Sequence, residues 1–534
     1  MTNSLVNSRI LLGLKSQGLK VIQVMKQSEV FSHRVIFLYW LALMSPFVSA
    51  LDFTVQSIQL APDSGVNVIP LKPHILGPDT RLLVIETPTV DERTLQLRIS
   101  DEEPERIVKL FAYADSRWFL QVSKALPHSM DTVDLVRTQN TNALAGYKDQ
   151  SVVLLDNETG NFEHLLNSSS MFIGRNWTSS PRIKMFADLN GDLIDDFLMP
   201  GFSGWQVSIS KDGDFQVPQT IGPSPRMTYS ENSEYVGYRS NAPFLLDANI
   251  DGLVDLAFWT KGKFTVYIQL DSGSFNLSSI SLDPNLNDVL GDYFQIDLGE
   301  NAGNREGASR LLDGVDDIDG DLRADLILKR IKAEGIFGWE SQYEIYKGIL
   351  TQPDKLGFEP IASSVISTSG YQLRNNRLDL NGDGKQEFII TSVDIGIGTV
   401  IKALLTRAVS TNVSIYQMVN NVFETKPSIS KKVSVRFDFK NGELFIPSVL
   451  NADVNGDGME DLLLQKDMST LLIYLGERTD KLFVTQPIKL NMQLPKNREG
   501  FVVADLNSDG IDELVLSIAK DNGERSLEVI RFNN

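Results

Sequence analysis

No cysteine occurs among the 534 residues. Disulfide staples, thiolate metal sites, cysteine nucleophiles and a lipid-modified amino-terminal cysteine are therefore excluded. Histidine is nearly absent too. The four present, His33, His74, His128 and His164, show no ligand spacing and read as ordinary surface or core residues. Basic charge is short, with 50 Lys and Arg against 69 Asp and Glu for a net charge of −19. Nucleic-acid binding through phosphates needs a basic patch, so that partner class is not expected. No Gly-x-Ser-x-Gly elbow, phosphate loop or zinc motif is found.

Long apolar runs are missing as well. The strongest, Val35 to Met44, falls short of the roughly 20 residues of a membrane helix. It fits the core of a signal peptide, with Lys26, His33 and Arg34 before it and Val48-Ser49-Ala50 after it. Residues 1–50 are accordingly expected to be a leader, with Met25 as an alternative start and residues 1–24 as an upstream extension. Cleavage after Ala50 would leave no stable membrane span, and an uncleaved anchor is the alternative. Together with the lack of cysteine, this points to a secreted, periplasmic or cell-surface location.

What the chain does have is 42% hydrophobic residues, enough for a large core, and one oxygen-rich pattern repeated six times. Side-chain oxygens at positions one, three, five and nine are Asp188, Asn190, Asp192 and Asp196; Asp247, Asn249, Asp251 and Asp255; and Asp317, Asp319, Asp321 and Asp325. The other three sets are Asp379, Asn381, Asp383 and Glu387; Asp453, Asn455, Asp457 and Asp461; and Asp505, Asn507, Asp509 and Glu513. Carbonyls at position seven (Ile194, Leu253, Arg323, Lys385, Met459 and Ile511) complete each set. So many oxygens in an irregular loop suit a hard cation, calcium rather than the smaller magnesium, at about six sites. An EF-hand is excluded, because position twelve is apolar in every copy (Met199, Phe258, Leu328, Ile390, Leu464 and Leu516) and continues a strand. The alternative is a set of solvated acidic turns. Each set donates nearly all its ligands, which favours a stabilising cation over a catalytic one.

First positions are 59, 70, 62, 74 and 52 residues apart, the mark of a repeat array. A second marker runs in phase. An alternating strand follows each loop, then a turn and a phenylalanine in five copies: Phe215, Phe275, Phe358, Phe423 and Phe483. The same marker at Ser151–Leu155 and Phe162 predicts a seventh, degenerate copy, with Leu126 at its lost first position and Asp134 at position nine. The last copy stops at Phe532 before a fourth strand, which a strand from residues 51–116 could supply, closing a ring.

In its Asp-x-Asn-x-Asp-Gly-x-x-Asp loop and following strand, the chain resembles the FG-GAP and VCBS-type repeats of integrin alpha-chain propellers and bacterial exported proteins, over roughly residues 110–534. It departs from them in lacking a clean Phe-Gly followed by Gly-Ala-Pro. The resemblance implies an all-β, seven-bladed propeller at 117–534, with the loops joining first and second strands on one rim. Leu193 and Leu322 replace glycine at position six, so those two sites should bind more weakly.

On the other rim, two connections are long. Residues 223–241 carry Arg226, Tyr229, Tyr235, Tyr238 and Arg239, and residues 283–310 carry Tyr293, Arg305 and Arg310. Tyr and Arg commonly anchor interfaces, so these are candidate partner contacts, with mobile insertions as the alternative. The expected function is a calcium-binding module for a protein or glycan. The alternative is a calcium-dependent polysaccharide lyase of propeller fold.

Overall fold

The structure is a computed structural model that describes residues 51–62, 64–71, 80–88, 105–127, 129–139, 142–170, 182–230, 235–239, 241–260, 262–286, 289–292, 309–334, 338–393, 399, 405–438, 443–478, 481–520 and 522–533. The expected leader, 1–50, lies outside these. Within them the protein is all β, a propeller of eight antiparallel blades. Blade 1 comprises Ser64–Leu71, Arg81–Pro88, Ile107–Ala114 and Arg117–Ala125; blade 2 comprises Met130–Arg137, Asn142–Lys148, Ser151–Leu155 and Phe162–Asn167. Blades 3 to 7 begin with first strands Phe186–Ala187, Phe244–Leu246, Ser309–Asp316, Tyr371–Leu378 and Val449–Ala452. Blade 8 comprises Phe501–Ala504, Glu513–Ala519 and Arg525–Asn533, with Asp52–Leu60 as its fourth strand.

The expected count of seven is thus corrected to eight. The extra blade comes from the segment 51–116, read as supplying only a closing strand. Besides Asp52–Leu60 it holds three strands of blade 1, and the boundary at 116/117 falls in the turn between the third and fourth. Blade 1 has no oxygen loop, so the repeat signal could not reveal it. The degenerate copy is also shifted in register. Asp134 lies inside the first strand of blade 2, not at the head of the second, and Leu126 is a buried core residue before that strand. The Asp134 carboxylate accepts the Met185 and Phe186 N–H groups at 2.7 and 3.3 Å, tying blade 2 to blade 3.

Burial explains the strand pattern. Second strands are packed on both faces by neighbouring blades, so they read as unbroken apolar runs: in Asp461–Asp467 the first five residues are all buried. Each core is shared by successive blades. Leu189, Trp205 and Ile221 of blade 3 pack with Leu256, Phe258 and Phe275 of blade 4. Ile58, Val515 and Leu527 of blade 8 pack with Leu82 and Val84 of blade 1. The repeated phenylalanine acts in this layer. Phe162 opens the fourth strand of blade 2. In the five oxygen-loop copies that carry it, the phenylalanine sits in a short hairpin or bridge before the fourth strand, as in Met418–Val419 with Val422–Phe423. From there Phe358, Phe423 and Phe483 reach the core shared with the preceding blade.

Candidate metal centres

All six oxygen loops join the first strand of a blade to its second, in blades 3 to 8. Loop 379–387 shows the common geometry. Asp379 Oδ1 accepts the Gly382 N–H at 2.8 Å and Oδ2 accepts the Gly384 N–H at 2.8 Å. Asn381 Oδ1 accepts the Asp383 N–H at 2.9 Å, and Asp383 Oδ1 accepts the Lys385 N–H at 2.9 Å. Short polar side chains thus wind the backbone around their own oxygens.

Position six has positive φ in every loop: 68° at Leu193, 86° at Gly252, 66° at Leu322, 81° at Gly384, 77° at Gly458 and 82° at Gly510. Position four does too, including 56° at Ile250 and 59° at Ser508, a constraint the sequence reading missed although glycine fills the other four copies. An L side chain in this region meets its own backbone. Leu322 is 88% exposed and has little packing to offset that strain. Leu322→Gly is therefore expected to stabilise the fold by about 1 kcal/mol, read as an upward shift of the denaturation midpoint; an unchanged or lower midpoint would contradict the strain.

Position nine differs from the rest because it is buried. Asp196, Asp255, Asp325 and Asp461 have no exposed surface, and Glu387 and Glu513 have almost none. Each of these six acids accepts the N–H of position two in its own loop. The four aspartates also accept an N–H after the third strand begins or ends, such as Gly476 to Asp461 at 2.7 Å. Burial, and then the acids of the same loop, push Asp196 and Asp255 up to about 6 and Asp325, Glu387 and Asp461 up to about 7. Glu513 is raised by burial as well, against the pull of Arg531 at 3.0 Å. Apart from Glu513, these are buried acids with no ion-pair partner among the described residues, and a divalent cation would supply one.

The donor set passes a second test of fit. Asn249 Oδ1 and Asp319 Oδ1, both at position three, are buried without a hydrogen-bond partner. Among the described residues three acids converge in one loop, 317–325, where carboxylate oxygens of Asp317, Asp319 and Asp325 lie within 4.8 Å of one another. Asp321 is outside that trio and pairs with the Arg323 side chain, while Lys347 Nζ sits 2.7 Å from Asp319 Oδ2. These two internal cations were not foreseen, since only the Arg323 carbonyl figured in the pattern. They compete with a bound ion. Loop 188–196 has a similar neighbour, Arg137, 3.3 Å from Asp195 and 3.6 Å from Asp188.

The loops also touch one another. The position-eight N–H of one bonds to an early carbonyl of the loop before it: Gln386 to Ile318 at 3.0 Å, Glu460 to Leu380 at 3.0 Å and Asp512 to Asp453 at 2.7 Å. Loops 317, 379, 453 and 505 are thereby joined in series. Contact is close enough that a Cβ on Gly320 would lie 2.5 Å from the Gly384 carbonyl oxygen.

The candidate partner residues are distributed differently. Residues 223–241 are not a bare loop but contain a hairpin, Arg226–Ser230 with Tyr235–Arg239, in which Arg226 faces Arg239 and Met227 faces Tyr238. Of Tyr229, Tyr235, Tyr238 and Arg239 only the backbone is described. In the second connection Val289–Asp292 adds a parallel strand beside the first strand of blade 5, and Tyr293 and Arg305 lie outside the described residues. Arg310 is engaged internally, donating to Glu344 at 2.7 Å within blade 5.

Comparison with known proteins finds one family match within the chain. Residues 453–516, which run from the loop of blade 7 into blade 8, match the FG-GAP-like repeat family. The chain thus carries an FG-GAP repeat within a β-propeller. No curated protein matches it. Among solved structures, Sqt1 from Chaetomium thermophilum aligns at 11% identity and a TM-score of 0.37, covering 89% of this chain and 100% of that one. The biofilm matrix protein Bap1 of V. cholerae aligns at 12% and 0.31, covering 91% of each chain. A Bacillus licheniformis rhamnogalacturonan lyase aligns at 12% and 0.22, covering 88% of this chain and 90% of that one. Likeness at this level carries no argument about activity.

Proposed function

We propose that this chain is a non-catalytic, calcium-binding propeller that presents its surface to a protein or glycan partner outside the cytoplasm. The observation that carries the reading is the buried acid at position nine. Six such carboxylates, each closing a loop whose sequence supplies three further side-chain oxygens, need a cation far more than they need a substrate. Asp188, Asp247, Asp317, Asp379, Asp453 and Asp505 would open the six ligand sets, with the position-seven carbonyls completing them. The pairing of Asp52–Leu60 with Arg525–Asn533 would close the ring. The hairpin Arg226–Arg239 is the proposed partner face.

Asp383→Ala is expected to lower calorimetric calcium stoichiometry by one site per chain, because it removes a direct ligand. An unchanged stoichiometry would remove Asp383 from the ligand set. Partner binding is tested separately with a glycan and polysaccharide panel, parent against the triple variant Tyr235→Ala, Tyr238→Ala and Arg239→Ala. Loss of a panel hit with an unchanged melt supports the hairpin face, and equal binding overturns it. Release of unsaturated products from any polysaccharide would replace the non-catalytic reading with the lyase.

A further inference from the structure

Where the first strands of blades 6, 7, 8 and 1 converge, a cleft of about 700 Å³ opens beside the ring's inner strands. Its volume is that of a small-molecule site. Its two ends differ in charge. Glu460, Asp505 and Asp512 lie at the end next to the oxygen loops, whereas Arg374 and Arg498 lie toward the start of the first strands.

The two arginines are unusual in a chain of net charge −19. Among the described residues, neither has a carboxylate within ion-pairing distance. Arg498 is held by its own turn, Nη1 donating to the Phe501 carbonyl at 2.7 Å. Burial, and then the charge of Arg374, push Arg498 below its ordinary value against the opposing pull of Glu499, so the two guanidinium groups that line this cleft are near each other. Arg374 follows a bulge: the register slips between Gln372 and Arg374, and Arg374 then faces Thr391 across the pair. Bulges re-aim side chains, commonly at binding sites. Across the cleft, Asn451 Nδ2 has no hydrogen-bond partner.

We propose that this cleft binds a hydroxyl-bearing carboxylate, an acidic sugar such as a uronate, with its carboxylate between Arg374 and Arg498 and its hydroxyls toward Thr391 and Asn451. The forked donors of arginine match a planar carboxylate. Amide and hydroxyl side chains serve the sugar hydroxyls, and Leu378, Ile389 and Val503 give the ring an apolar wall. The acidic end repels a carboxylate placed beside it, so the ligand enters with its bound carboxylate at the arginine end. This site uses none of the cation ligands except Asp505 at its far end, and it is distinct from the hairpin face.

The test is calorimetric titration of the full chain with digalacturonate, with its neutral digalactose counterpart and with inorganic phosphate, all at the same free calcium. Digalacturonate should bind, with digalactose and phosphate at least about tenfold weaker, and Arg374→Ala should weaken it about tenfold or more while Arg374→Lys recovers part of the loss. Arg374 is exposed on its strand, so the variant should melt like the parent and bind calcium with parental stoichiometry. The inference is overturned by no digalacturonate binding below about 10 mM, by equal binding of digalactose or phosphate, or by equal binding in Arg374→Ala. Calcium stoichiometry unchanged alongside any of these leaves the cation reading standing and removes this site alone.

Discussion

Removing calcium is expected to lower the melting temperature by many degrees and to reverse the direction in which stability follows pH. With extracellular-type affinities of about 0.1 to 1 mM and about 1 mM free ion, each filled site contributes roughly 0.4 to 1.4 kcal/mol. Six would give about 2 to 8 kcal/mol if additive, comparable with a typical total of about 5 to 15. The pH effect follows from position nine. In the cation-free chain Asp325 and Asp461 are raised from 3.8 to about 7, and Asp196 and Asp255 to about 6. Between those values the folded chain binds more protons than the unfolded one, so stability falls as pH rises through that window. With the cation bound, the same carboxylates must be ionised to ligate it, and stability should hold or rise over the window. Melts from pH 4.5 to 8, in calcium and in chelator, should therefore diverge toward alkaline pH. Two coincident curves would leave the loops as solvated turns.

The second large effect separates the acids that build the fold from those that hold the ion. Asp461→Ala leaves two buried N–H groups, those of Val454 and Gly476, without acceptors and opens a void in a fully buried position. Its expected cost is about 3 to 5 kcal/mol in calcium. Asp457→Ala, on the exposed side of the same loop, loses the cation and the bond from the Met459 N–H, and should cost about 1 to 2 kcal/mol. Denaturant unfolding of the two variants decides it. Equal losses would mean that position nine is merely another ligand.

Sequence spacing located the six loops because a backbone wound around its own side-chain oxygens restricts residue type at fixed offsets. The same logic placed each loop between first and second strands, since position twelve is apolar and leads into a buried run. Blade 1 escaped notice for the converse reason: its strands are shaped by burial alone, as in Leu82, Leu83, Val84 and Ile85, and burial leaves no fixed spacing. Asp134 was misplaced because an acid accepting two backbone N–H groups from the next blade has the same residue type as a position-nine acid. Arg137 and Lys347 were invisible as loop neighbours, since they approach from other strands. The hydrogen bonds between loops use main-chain groups, which every residue carries, so no pattern of side chains could announce them.

Blade 8 has its own implication for how the molecule is made. Ser57 Oγ donates to Glu528 Oε1 across 471 residues of chain, so two adjacent strands of one sheet are made far apart in time. Until the second arrives, the first has an open edge of nine residues with no native neighbour on that side. Contacts of such long range form slowly. The sheet of blade 8 is therefore completed only after the strands of the other seven blades have been made.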